Sequence, residues 1–152
     1  MTPVPDPSRP FANQEPLVLL AMLVFGEARS EVFDAKLAVA NVVMNRVRTG
    51  FGKNVSVVAL KPYQFSCFLP SDNNRVKLLD PLKYESQTVW DNCFYAAGMA
   101  YSGEGGDPSN GAVFYHDSTI AEPPKAWGPV VETAQIGRLT FYKPVVQELK
   151  AA

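Results

Sequence analysis

The sequence predicts an α+β fold, mainly helical, with a buried central helix and a small antiparallel sheet in the C-terminal half. Three observations carry that expectation. Leu17 to Phe25, LVLLAMLVF, is apolar on every side, the pattern of an enclosed helix. Two later stretches, residues 35–47 and 84–101, repeat apolar residues at helical spacing. Past residue 112 the chain turns rich in β-branched and aromatic residues, and Gly137 separates VVETAQI from RLTFYKP as a turn separates paired strands.

Each element follows from local chemistry. MTPVPDPSRP has four prolines in ten residues, too few amide donors for a helix or interior strand, so residues 1–15 are expected to form an extended arm or a loose tail. Pro16 suits a first helical turn, and the apolar helix runs from it to Phe25. Gly26 weakens that helix, and Ser30 reads as the N-cap of a second one starting at Glu31, where a carboxylate favours the helix dipole. Ala35, Ala38, Val39, Val42 and Val47 share its buried face, Lys36, Asn45 and Arg48 reach solvent, and it ends at Thr49 before Gly50. SVVALKP reads as a short helix stopped by Pro62, and YQFSCFLPSDNNR as a loop with turn chemistry at 70–74. An amphipathic helix over 84–101 places Val89, Cys93, Ala97 and Ala100 on one side. After the loop SGEGGDPSNG, AVFYHD reads as a strand, ahead of the hairpin. QELKAA, small and polar, is expected to fray. The layout is therefore an arm over 1–15, a single domain over 16–145 and a tail over 146–152.

Composition narrows the function. At 152 residues the chain can bury roughly 70% of the surface its unfolded form exposes. Its 47% apolar and 19% charged residues describe a compact globule, and a net charge of −1 removes the broad attraction by which proteins hold nucleic acid or anionic membranes. The apolar run of nine residues is about half what a bilayer-spanning helix needs. Asp6 and Glu15 outnumber Arg9 before it and no small-residue cleavage site follows, so it does not read as a signal peptide; the chain is expected to be made in the cytoplasm. Cys67 and Cys93 lack metal or redox spacing and read as buried thiols, with a disulfide left open. A single histidine, His116, excludes a multi-histidine metal centre, and no metal or cofactor is expected.

Glu27 stands out. A carboxyl at the end of a buried helix is partly withdrawn from water, which disfavours its charged form and suits a general acid. The alternative is a structural ion pair with Arg29 or Arg46. Glu31 follows at i+4, about 5–6 Å away on a continuous helix, near the spacing of the two carboxyls in retaining glycosidases. A break at Gly26 to Ser30 leaves that spacing open, and a helix-start acid bonded to backbone amides is the alternative for Glu31.

FGEARSE, AVANVVMNRV, QFS, GAVFYH and IGRLTFY occur in the order in which bacterial and phage cell wall hydrolases of the spore-cortex-lytic (SleB) type carry similar motifs, and the resemblance spans Leu17 to Lys143. It implies a lysozyme-like catalytic domain acting on peptidoglycan glycan strands between N-acetylmuramic acid and N-acetylglucosamine. It further implies a lytic transglycosylase, in which one glutamate, matching Glu27, serves as acid and then as base while a 1,6-anhydro ring closes. Glu31 then supports the site by orienting the loop or a neighbouring arginine, and Gln64 and Ser66 lie along the glycan cleft, Phe65 belonging to the core. Strand alternation sends Tyr115 and His116 to opposite faces, one of them toward the cleft. Trp127, Phe141 and Tyr142 are candidates for stacking on sugars or for filling the core. Where similar proteins carry histidine in the IGxHxFY element this chain has Leu139, so a polar contact is absent or supplied by Arg138.

A monomer is expected, and the lack of an export signal and of an added wall-binding module points to a compact phage endolysin or prophage-borne lysin released through a separate pore. Two other functions stay open: lysozyme-type hydrolysis with Glu31 or Asp34 assisting water, and a non-catalytic glycan-binding module. A Ser66 or Cys67 nucleophile with His116 lacks the sequence context of known nucleophilic hydrolases.

Overall fold

The computed structural model describes residues 2–145. Helices α1 (Pro16–Ala28), α2 (Phe33–Arg48) and α6 (Gln87–Ser102) form the body, with the short α3 (Val55–Ala59), α4 (Arg75–Leu78) and α5 (Pro81–Tyr84) around them. Strands β1 (Phe114–His116), β2 (Val130–Ile136) and β3 (Leu139–Pro144) make an antiparallel sheet of order β1-β3-β2. The expected α+β layout, with an enclosed helix and a late small sheet, is the one observed.

Helix α1 lies at the centre, packed by α2, α3, α4 and α6. Every side chain from Leu19 to Phe25 is fully buried. Each large one contributes roughly 1.5–3 kcal/mol through removal from water. Pro16 opens the helix at its first turn, as its ring dictates. The helix does not yield at Gly26 but continues through Glu27 to Ala28. The glycine is there for closeness: a Cβ on residue 26 would lie 2.6 Å from Cys67 Cβ, 2.7 Å from its Sγ and 2.9 Å from Leu78 Cδ2.

The second helix departs from expectation at its start. It begins at Phe33 with Val32 in the N-cap position and no side-chain cap, leaving Ser30 and Glu31 in the preceding turn. Glu31 is drawn out of the helix by two cations: Lys36 Nζ donates to its carbonyl and Arg138 to its carboxylate. For the same reason Lys36 is buried, and so is Asn45, whose amide donates to Ala112 O and Asp107 Oδ2, each at 2.9 Å. Of the three side chains expected at the surface of α2, only Arg48 is exposed.

Helix α6 starts at Gln87, three residues later than the pattern suggests, because Ser86 caps it through Val89 N at 3.3 Å. Gly103, at φ 78°, closes it in the left-handed conformation. Cys93, Ala97 and Ala100 are buried on its inner face, joined by Trp90. The proline-rich arm lies along this helix: Thr2 Oγ1 donates to Asp91 Oδ1 at 2.6 Å and Trp90 Nε1 to Pro3 O at 2.9 Å. The stretch expected to fray, 147–152, lies outside the described residues.

The hairpin turns at Gly137, φ 58°, and β3 pairs with both neighbours. Tyr115 lies opposite Phe141 and Phe114 opposite Tyr142, so the sheet has an inner face carrying Tyr115, Phe141 and Leu139. Its outer face is an aromatic layer in which Trp127 stacks on Phe114 at 4.7 Å and lies near His116 and Tyr142.

Gly26→Ala must displace Cys67 or Leu78, and overpacking of this kind costs about 1–3 kcal/mol. A lowered urea midpoint with an unchanged m-value is the expected outcome.

Candidate active site

Glu27 sits in the last turn of α1, on the side facing β1, and is only partly exposed. The helix carries it there because the preceding turns are locked in the core. On the opposite side, β1 is held in place by α2: Arg46 Nε donates to Val113 O at 2.7 Å and Asn45 to Ala112 O. That anchoring brings Tyr115 to Glu27, and its hydroxyl donates to Oε1 at 2.6 Å.

Burial pushes the Glu27 carboxyl above the usual carboxylate range; hydrogen bonds from Tyr115 and Cys67 oppose the shift and the negative charge of Asp72 adds to it. Among the described residues Glu27 makes no ion pair. Both arginines that sequence offered as partners are engaged elsewhere. Arg29 reaches Glu85 at 3.3 Å and Asn74 Oδ1 at 2.8 Å. Arg46 gives its Nη1 to Gln64 Oε1 at 3.3 Å, and its guanidinium lies over the rings of Phe65, Phe51 and Phe114. The carboxyl is thus desolvated without a cation to hold it ionised.

Two cavities meet at this residue, both lined by Gly26, Glu27 and Asn74. One, about 460 Å³, continues past Arg29, Ser30, Glu85 and Val89. The other, about 360 Å³, is walled by Ser66, Tyr115, Asp117, Thr119, Ile120 and Leu139. Glu27 therefore stands midway along the groove that the two cavities form.

The remaining sequence candidates are divided between the groove and its surroundings. Ser66 and Tyr115 line the groove with Glu27. Gln64 is exposed and bonded to Arg46, close by in the chain but not part of either lining. His116 and Tyr142 lie on the outer face of the sheet, where His116 Nε2 and Tyr142 Oη are 2.9 Å apart and Nδ1 is 2.8 Å from Asp117 O.

Glu31 lines neither cavity: Arg138 Nη2 and Nε hold its Oε2 at 2.7 and 3.3 Å, clasping the hairpin tip to the turn after α1. Arg138 consequently supplies no contact inside the groove, and Leu139 leaves that wall apolar. Asp34 is exposed on the first turn of α2.

Phe65 and Phe141 are buried in the core and Trp127 covers the outer layer. Both thiols are free and buried, with Cys67 pushed well above its ordinary value by burial and Glu27, and Cys93 to about 12 by burial. With Cys67 un-ionised and His116 committed to Tyr142 and Asp117, no nucleophile and base are paired. Asn74 and Asp117, which share the groove, were not singled out in sequence; each comes from a loop whose course only the fold sets.

A carboxyl whose folded pKa is raised holds its proton where the unfolded chain has lost it. The native state then binds more protons, so this group's contribution to stability falls as pH rises from the ordinary value of 4.5 through the raised one. Glu27→Gln escapes that loss. Its thermal midpoint is expected to exceed that of the parent at pH 7 and to converge with it below about pH 4; equal midpoints across the range would mean the carboxyl is not desolvated.

A family model described as Cell Wall Hydrolase matches residues 30–142, beginning just after Glu27. The chain is 28% identical over 126 residues to the spore cortex-lytic enzyme of Bacillus subtilis (strain 168), covering 78% of this chain and 34% of that protein. It is 29% identical over 140 residues to that of Oceanobacillus iheyensis, covering 86% and 42%. It thus spans about a third to two fifths of the length of these relatives. Among solved structures it resembles the catalytic domain of the germination-specific lytic transglycosylase SleB from Bacillus anthracis, with a TM-score of 0.61 and 26% identity over 82% of this chain and 90% of that one. The catalytic domain of Bacillus cereus SleB gives 0.60 and 25% over 84% and 89%. With three quarters of its length matched, and with the fold of those catalytic domains, the chain belongs to the cell wall hydrolase family.

Proposed function

We propose that this chain cleaves the glycan strands of peptidoglycan between N-acetylmuramic acid and N-acetylglucosamine as a lytic transglycosylase, with Glu27 as acid and then base. One observation carries the reading: a carboxyl pushed above its usual range by burial, hydrogen bonded by Tyr115 and lining both cavities. The similar catalytic domain from Bacillus anthracis is that of a lytic transglycosylase, which supports the same class of reaction here.

The chemistry needs few parts. Tyr115 donates to Oε1, and the proton to be given is the carboxyl's own. Glu27 donates it to the glycosidic oxygen as the bond to C1 breaks. The resulting carboxylate takes the proton of the muramic acid C6 hydroxyl as that oxygen closes on C1. The glutamate ends as it began, and no water is consumed. An acid that must act in both directions works best with a pKa near the working pH, the condition that a dry setting without a cation creates. Ser66 and Asn74 offer hydroxyl and amide groups to sugar substituents along the groove, and Leu139 and Ile120 offer apolar surface.

No observation favours hydrolysis assisted by Glu31 or Asp34, since the first is committed to Arg138 and the second is exposed outside both cavities. A binding module has no use for a buried acid. Among the described residues no helix is long and apolar enough to cross a membrane, which is compatible with a domain that works on the wall from the aqueous side.

Mass spectrometry of digested sacculi is expected to show 1,6-anhydromuramic ends. Glu27→Gln should lower the rate by at least about 100-fold, the lower range for loss of a general acid, while the protein stays folded. Reducing muramic acid ends, or an active Glu27→Gln protein, would overturn the proposal.

A further inference from the structure

The cavity on the sheet side of Glu27 contains a second carboxylate. Asp117 follows β1 directly and shares that cavity with Glu27, Tyr115, Ser66 and Leu139. Its Oδ1 accepts from the Thr119 amide at 2.9 Å and from the Thr119 hydroxyl, and among the described residues no donor reaches Oδ2. The two Thr119 donors hold the Asp117 carboxyl below the usual carboxylate range, with the positive charge of Arg138 and the His116 ring adding to the effect. Burial does the reverse to Glu27. One cavity is therefore lined by a carboxyl that burial pushes up and by another that hydrogen bonds hold down, the kind of difference by which paired acids take different roles.

Breaking a glycosidic bond builds positive charge on the sugar at C1 and the ring oxygen. A fixed anion aimed at that charge lowers the barrier without moving during the reaction, and more so in a groove from which the substrate expels water. We propose that Asp117 is a further catalytic residue, stabilising the oxocarbenium-like charge on the sugar while Glu27 delivers and recovers the proton. This rests on the reading of Glu27 given above. Asp117 forms no bond and exchanges no proton in the cycle: the C1–O bond breaks, the C1–O6 bond forms, and both proton transfers belong to Glu27. The titratable and charged groups around Asp117 are Glu27 in the same cavity, Arg138 on the hairpin and His116 on β1; Arg138 is itself paired with Glu31. Glu31 and Asp34, closer to Glu27 in sequence, lie outside the groove.

Asp117 also fixes its own loop, so the test must separate the two roles. Asparagine keeps the acceptor for both Thr119 donors and removes only the charge. Asp117→Asn is expected to lower kcat about 100-fold, with KM within about two-fold, when the pH dependence of muropeptide release from purified wall is followed. Thr119→Val keeps the charge and removes one donor, so the acid limb of the kcat/KM profile should move to higher pH. Wild-type kcat in Asp117→Asn, a loss that lies entirely in KM, or an unmoved acid limb in Thr119→Val would each overturn the assignment. An active Glu27→Gln protein would sink the underlying reading instead, whereas an inactive one beside a fully active Asp117→Asn protein would sink this inference alone.

Discussion

The hydrogen bond from Tyr115 to Glu27 joins the helical body to the sheet, and much of the fold serves to hold its two ends 2.6 Å apart. Glu27 is placed by α1, which cannot rotate or slide without exposing side chains from Leu19 to Phe25. Tyr115 is placed by β1, which hangs from Asn45 and Arg46 of α2 through the carbonyls of Ala112 and Val113. Behind β1, the outer aromatic layer of Phe114, His116, Trp127 and Tyr142 braces the same strand. The core around α1 thus fixes the acid, and the anchors of β1 fix its partner.

The electrostatics depend on where cations are kept. An arginine paired with Glu27 would hold it ionised and useless as an acid at neutral pH. Arg46 is near enough to Glu27 to feel its charge, yet its donors go to Val113 and Gln64 and its faces to Phe65, Phe51 and Phe114. Arg29, two residues beyond the acid, is taken by Glu85 and Asn74. Arg138 closes on Glu31. Each cation in the neighbourhood is satisfied by something other than the carboxyl it could neutralise. Gly26 belongs to the same arrangement, because its missing side chain admits Cys67 against α1 beside the acid. The groove thus carries at one residue a burial cost that hydrogen bonds from Tyr115 and Cys67 offset only in part, a pattern expected where reactivity matters more than local stability.

Much of this was legible in sequence. The enclosed helix was visible because a run apolar on all sides has no other stable home in a chain of this size, and Glu27 was visible as the first ionisable group after it. The hairpin about Gly137 followed from the β-branched residues on either side, and the opposite facing of Tyr115 and His116 from strand alternation alone. What misled were polar residues judged by their own chemistry. Lys36 and Asn45 look solvent-bound by type, but carbonyls of distant segments satisfy them inside. Ser30 looks like a cap, but Glu31 is pulled toward a hairpin more than a hundred residues away, and the helix starts later.

Sequence by itself determined the fold class, the central helix and the acid at its end, because each depends on contiguous residues whose patterning allows one stable arrangement. Tertiary structure decided which groups surround that acid: Tyr115 in place of an arginine, Asp117 and Asn74 in the groove, Glu31 outside it. Those neighbours come from loops and strands far apart in the chain, and their positions follow from how buried donors and charges find partners across the whole molecule, which no local pattern encodes.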